Sequence, residues 1–334
     1  MSLKKYFYVT LGGIVVALLS IVSVVIFVDP YQQYRKSEKF ISNQRLGNPG
    51  IAKHHDYNAV IVGSSMAMNH YPSQIDSLFG WNTVNLTTKG GLDSDYSLLF
   101  PHIARQGKMK NMIWCLDYFC FALSEAYLAE PYLYDNKWWN DCAYWLNYTS
   151  CTNTFNKLAG RKMAVSRDSV YHFSSPLGRK TLLKYYKRDN NDKYFKNYDF
   201  TQMETRFDAM EAVVMPILRE VEVYIYFSPY SILEFKLFEQ YGHLEEIVAF
   251  KKYMIERLLN YSNVKLYDFQ KEDFICDLDE FMDLRHHSHK YNKRIIDYIH
   301  KDSCRVSVND YEKDLGVLDS LVRNYDLNVI SIER

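Results

Sequence analysis

Two short stretches carry residue types that could do covalent chemistry together. The first is Gly63-Ser64-Ser65, at the exit of the apolar run Ala59-Val60-Ile61-Val62. A serine hydroxyl becomes a useful nucleophile when a base of near-neutral pKa takes its proton, and that base needs an acceptor on its other ring nitrogen to fix its tautomer. The second stretch, Met282-Asp283-Leu284-Arg285-His286, can supply both, because a histidine three residues after an aspartate on one turn converges with it on a single point. The chemistry implied is acyl transfer through an acyl-serine, with Ser65 attacking, His286 moving the proton and Asp283 holding the imidazole. It needs no cofactor and no metal. Each stretch alone has a plainer reading. Gly-Ser after a strand is a common turn or N-cap, and His286, His287 and His289 could form a solvated loop capped by Asp283.

These residues need elements to bring them together across more than two hundred positions. Ala59–Val62 is a short β-branched run that reads as a first strand, followed by a helix whose N-terminal N–H groups would face developing negative charge. Thr83–Leu86 reads as a second strand closed by Gly90-Gly91, Ser94–Gln106 as a helix, and Met112–Leu116 as a third strand. Helices at about 202–219 and 233–260 alternate with strands at 221–227 and 264–268, and a last helix covers 290–300. Strand and helix alternating in this order predict an α/β fold with a parallel sheet and right-handed crossovers. Ligands of such sheets bind outside the carboxyl ends of the strands, where Ser64 and Ser65 fall. The final thirty residues read as a tail, with Val306 and Val329-Ile330 as edge-strand candidates.

Serine at the end of strand one and Asp-x-x-His before a last helix, in the chain order Ser, Asp, His, resembles the SGNH (GDSL) superfamily from Ala59 to about His300. That resemblance implies a three-layer, flavodoxin-like sheet flanked by helices. The usual strand-exit motif there is Gly-Asp-Ser, so Ser65 aligns with the nucleophile and Ser64 with the aspartate place, Ser64 remaining the other candidate nucleophile. It also implies an oxyanion hole made by the backbone N–H groups of Ser65 and of Gly90 or Gly91. One departure stands out. Where the superfamily places Gly-x-Asn-Asp, with an amide donor to the oxyanion, this chain has Leu116-Asp117-Tyr118-Phe119. An ionised Asp117 would repel an oxyanion, and loss of one such donor costs about 10²–10³ in rate. Asp117 therefore binds an acceptor hydroxyl or caps the next helix.

Val-Asp-Pro-Tyr after an apolar N-terminal segment, then Gly-Ser-Ser, Leu-Asp-Tyr-Phe and Asp-x-x-His, narrows the resemblance to the DltD-like branch. That branch implies acyl transfer to or from a cell-envelope glycopolymer, such as a teichoic acid or polysaccharide, beside a membrane-bound O-acyltransferase. A second class of function is a non-catalytic, acceptor-binding subunit of such a complex, favoured by the Asp117 departure. The aromatic stretch 130–200 reads as an insertion, either a packed lid or a sugar-stacking surface with Ser64, Asp117, Trp138 and Trp139 as substrate-binding candidates, joined by Trp145 and Tyr148.

Tyr6–Val28 holds no Asp, Glu, Lys, Arg or His, and about 20 such residues span a bilayer core of about 30 Å. The reading is an uncleaved single-pass anchor over 1–28 with its short tail inside, a polar juxtamembrane linker at 29–55, and an extracytoplasmic body at 56–334. The 40 basic and 40 acidic residues balance without long runs of one sign, which argues against nucleic acid as a partner. The 29 tyrosines ask for wet, partly exposed rings as well as core. Of six cysteines, Cys115 and Cys120 read as core, only Cys142 and Cys151 are placed for a disulfide, and no zinc-type spacing occurs.

Overall fold

Four consecutive apolar residues, three of them β-branched, make Ala59–Val62 (β1) a strand with no polar face, and all four are buried. Strands of that kind belong inside a parallel sheet covered on both sides. β1 pairs in parallel with Thr83–Asn85 (β2) on one edge and with Asn111–Leu116 (β3) on the other. Glu222–Phe227 (β4) and Val264–Asp268 (β5) extend the sheet in the same sense, giving the spatial order β2-β1-β3-β4-β5. The chain is therefore an α/β protein with a five-stranded parallel sheet flanked by helices. The strand order reverses between β1 and β3, and such a switch point opens a crevice at the carboxyl ends of its strands.

This architecture comes from a computed structural model, which describes residues 2–330 apart from 124–129, 136, 162, 165, 166, 170, 172, 173 and 192. Leu3–Val28 (α1) is one continuous helix, long and apolar enough to cross a membrane. Asp29 ends it in the left-handed region at φ 45°. Residues 29–55, expected as a linker, are instead folded onto the body. Gln44–His54 (α2) buries Leu46 through Ala52, and the buried Asp29 carboxylate accepts N–H bonds from Gln33, Tyr34 and Arg35.

Of the crossover helices, Pro72–Phe79 (α3) and Asp93–Arg105 (α4) follow β1 and β2. Met203–Val214 (α5) precedes β4, and the expected 233–260 helix is two, Ile232–Gln240 (α6) and Leu244–Leu258 (α7), broken at Gly242. His289–His300 (α8) matches the terminal helix expected there. The C-terminal tail departs from expectation. Tyr311–Asn324 (α9) is a helix that buries Leu315, Leu318 and Val322 and packs on α6 and α7. Neither edge-strand candidate is a strand: Val306 donates one backbone bond to Leu266, beside an isolated Tyr267–Arg305 bridge, and Leu327–Ile330 is a 3-10 turn.

Between β3 and α5, the aromatic insertion is a set of short pieces, chiefly the helices Tyr148–Leu158 and Arg179–Asp189. Its Tyr144 is fully buried and donates to Asp29 at 3.2 Å. Cys142 and Cys151 are free thiols, the first exposed and the second bonded to the Trp145 carbonyl, so the expected disulfide is absent.

Candidate active site

Gly63 closes β1 with φ +140°, and a Cβ there would stand 2.7 Å from the Cβ of Cys115 on β3. Only glycine lets the two strand ends approach so closely. The chain then runs through successive tight turns from Ser64 to His70, held by bonds such as Ala67 N–H to the Ser64 carbonyl at 3.2 Å. The helix expected directly after the nucleophile turn is not there. Helical structure after this turn begins only at Pro72.

Consecutive serines on this turn have opposite fates. Ser64 is fully buried and donates its hydroxyl to Asp117, while accepting the Met66 N–H at 3.2 Å. Ser65 is half-buried, and its Oγ lies 2.8 Å from His286 Nε2. The other imidazole nitrogen, Nδ1, lies 2.8 Å from Asp283 Oδ2. Asp283 Oδ1 accepts the backbone N–H groups of His286 at 2.8 Å and Arg285 at 2.9 Å. Burial alone would raise the Asp283 carboxyl, but the hydrogen bond and charge of His286 and these two N–H donors outweigh it and bring it to about 2. An anionic carboxylate fixed in this way keeps Nδ1 protonated and leaves Nε2 to accept from Ser65.

The loop bearing Asp283 and His286 is clamped from beneath. Met282 and His286 exchange a backbone bond of 2.7 Å, and the Leu284 carbonyl accepts both the N–H and the hydroxyl of Ser231, the N-cap of α6. Arg285 pairs with the fully buried Glu234 of α6 at 2.8 Å and donates to Tyr194 and Tyr198 at 3.0 and 2.6 Å. The aromatic insertion thus reaches the site through Tyr194 and Tyr198, which sequence reasoning did not single out.

Ser65 and His286 open into a cavity of about 600 Å³ whose walls include the apolar Met66, Phe119 and Leu123 and also Arg45, Lys89 and Gly90. Gly90, at φ +58°, lines this cavity. Gly91 is placed differently. Its N–H is spent on the Thr88 carbonyl at 2.9 Å. Arg45 fixes the same loop by donating to the carbonyls of Lys89 and Gly90 at 3.0 and 3.2 Å, while a two-pronged bond to Asp95 at 3.1 and 2.8 Å holds its own guanidinium. Nothing in the sequence marked Arg45, which sits in the stretch expected as a linker.

Four substrate-binding candidates, Ser64, Asp117, Trp138 and Trp139, lie outside the lining of this cavity. Asp117 is 1% exposed, and its carboxylate is taken by Ser64 and by Tyr230 at 3.3 Å, so neither it nor Ser64 lines the cavity. Burial raises the Asp117 carboxyl to about 6, against the pull of its hydrogen bonds from Ser64, Tyr230 and Cys115 and of the His286 charge. Trp138 and Trp139 are exposed, but neither lines the cavity, and they adjoin the segment packed on α1.

In comparisons with known proteins, no protein-family model matches the chain and no curated protein matches it.

Proposed function

We propose that the chain is a serine acyltransferase or esterase of SGNH type, anchored by α1, that acts outside the cell membrane on acyl groups of a cell-envelope glycopolymer through an acyl-serine. One observation carries this reading: the unbroken relay Ser65 Oγ–His286 Nε2 at 2.8 Å and His286 Nδ1–Asp283 Oδ2 at 2.8 Å, at the mouth of a cavity. Its position at the strand-order reversal, where α/β proteins bind ligands, adds weight.

In this scheme Ser65 Oγ attacks the acyl carbonyl as His286 Nε2 takes its proton, giving a tetrahedral oxyanion that the N–H groups of Ser65 and Gly90 stabilise. His286 returns the proton to the leaving oxygen and the acyl-serine remains. A glycan hydroxyl or water, giving its proton to His286, then attacks the ester carbonyl, and His286 returns that proton to Ser65 Oγ as the acyl–serine bond breaks. The DltD-like ordering of motifs favours a glycan hydroxyl as acceptor and a membrane-bound O-acyltransferase as partner, with the body outside and the short tail inside. The second reading, a non-catalytic acceptor-binding subunit, rests on Asp117 standing where the superfamily has an amide donor to the oxyanion; here that carboxylate is bonded to Ser64 and Tyr230.

A fluorophosphonate probe tests the reading. Labelling of the folded full chain, abolished by Ser65→Ala and retained by Ser64→Ala, is expected. Absence of labelling, or labelling indifferent to Ser65→Ala, overturns it.

A further inference from the structure

The insertion helix Tyr148–Leu158 is amphipathic the wrong way round for a soluble surface. Ser150 and Thr154 are buried, whereas Tyr148, Phe155 and Leu158 are 85%, 69% and 62% exposed. At about 100° per residue these three fall on one stripe. Its polar side faces inward: Asn153 donates to Tyr31 at 2.5 Å and Lys157 to the Asp29 carbonyl at 2.9 Å, both just past the end of α1. Ahead of the helix, Trp138 and Trp139 are 71% and 62% exposed. Five large apolar side chains left exposed on one insertion are a feature that marks an interaction site.

Its position relative to α1 says which kind. Both Tyr148–Leu158 and the preceding short helix Cys142–Trp145 pack directly on α1. A bilayer core of about 30 Å takes about 20 helical residues, and counting that far from Lys5 reaches Val25, the one buried residue of α1. The body therefore meets α1 at the depth where hydrocarbon gives way to headgroups. Arg35 sits at the same level, donating to the Ile26 carbonyl at 2.8 Å with its guanidinium 5.7 Å from the centre of the exposed Phe27 ring. Tryptophan, tyrosine and arginine are the residues that occupy this zone in membrane proteins.

We propose that Trp138, Trp139, Tyr148, Phe155 and Leu158 form a second, monotopic attachment, inserted into the headgroup–acyl boundary of the same bilayer that α1 crosses. It rests on α1 being the anchor. Two attachments on one face, with α1 packed against the insertion, hold the body at one orientation to the membrane where a single helix would let it swivel. The insertion also holds Arg285 through Tyr194 and Tyr198, so the cavity takes a set height above the lipid surface.

The test uses the full chain in liposomes of phosphatidylcholine and phosphatidylglycerol, with and without bromine on the acyl chains, and reads tryptophan fluorescence. Bromolipid should quench the wild type, and the Trp138→Phe/Trp139→Phe variant, with an unchanged melting temperature, should lose most of the quenched signal. Equal quenching in the two proteins, while both resist carbonate extraction, overturns the proposal and leaves the anchor standing. Extraction of both by carbonate overturns the anchor reading and this one with it. Blue-shifted emission from Trp138 and Trp139 without bromolipid quenching places a protein surface there, from a partner or a second copy, and also overturns it.

Discussion

Ser64 donates its hydroxyl to Asp117 beneath the nucleophile turn, while Ser65, the next residue, is directed to His286. The first bond ties the end of β1 to the end of β3 in the interior, and the second opens on the cavity. The two serines should thus separate stability from chemistry. Ser64→Ala removes a donor from a buried carboxylate and should cost about 1–3 kcal/mol in unfolding free energy, with fluorophosphonate labelling retained. Ser65→Ala should stay within about 0.5 kcal/mol of wild type and lose labelling completely. Chemical denaturation and labelling of both variants decide it; a stable, unlabelled Ser64→Ala protein would reverse the assignment.

Asp117 and Asp283 shift in opposite directions, so acid stability should have two limbs. Burial takes Asp117 from about 3.8 up to about 6, so between those values the folded state holds a proton that the unfolded state has lost, and stability falls as pH rises. Asp283 goes from about 3.8 down to about 2 because its bonds to His286 and to the loop N–H groups outweigh burial, so its contribution is lost as pH falls through that range. Melting temperatures across pH 3–7 in detergent should therefore lose the decline between about pH 4 and 6 in Asp117→Asn. In Asp283→Asn they should lose the decline below about pH 4. Parallel profiles for wild type and both variants would refute this account.

The sheet was legible because β1, β3 and β4 are largely apolar runs, as parallel strands buried on both faces require, and β5 carries Val264, Leu266 and Tyr267 around Lys265. The convergence of Ser65, His286 and Asp283 was legible because Asp283 and His286 are local to one turn and Ser65 stands at a strand exit. What escaped depends on distant partners. Asp117 reads in sequence as binding an acceptor hydroxyl or capping the next helix, whereas the neighbouring end of β1 gives it Ser64 as a buried partner. Residues 29–55 look like a linker because their polar groups, Asp29 and Asn48 among them, find buried partners in Tyr144, Tyr171 and the loop after β2. α9 is a different case, since Leu315, Leu318 and Val322 already show helical spacing and the tail could have been read as a helix.

Arg285 and Glu234 form an ion pair at 2.8 Å in which the carboxylate is wholly shielded from solvent. Removing one member of a buried pair strands the other charge, so Arg285→Met should destabilise by about 3–5 kcal/mol. Replacing both with apolar residues of similar volume, as in Glu234→Leu/Arg285→Met, should recover most of that loss. Denaturation of the two variants measures it. A double variant no more stable than the single one would show that the bonds of Arg285 to Tyr194 and Tyr198, and not the pair, hold the His286 loop.

Arg45 lines the cavity beside Ser65 and His286 and binds the carbonyls of Lys89 and Gly90, which makes it a positioning residue for that turn. If the Gly90 N–H stabilises the oxyanion, it acts in the transition state and adds little to ground-state binding. A loosened Lys89-Gly90 turn should then lower kcat and kcat/KM together and leave KM nearly unchanged. Arg45→Ala should reduce turnover of a short-chain activated ester by about 10², the usual cost of one oxyanion donor. Asp95 keeps its bond from the Leu92 N–H at 3.1 Å, so the start of α4 should survive the change. Arg45→Lys retains one charge but not the fork that spans two carbonyls and a carboxylate, and should recover only part of the rate. Arg45→Ala with wild-type kcat and an intact fold would remove Gly90 from the oxyanion hole and leave Ser65 N–H as its remaining candidate.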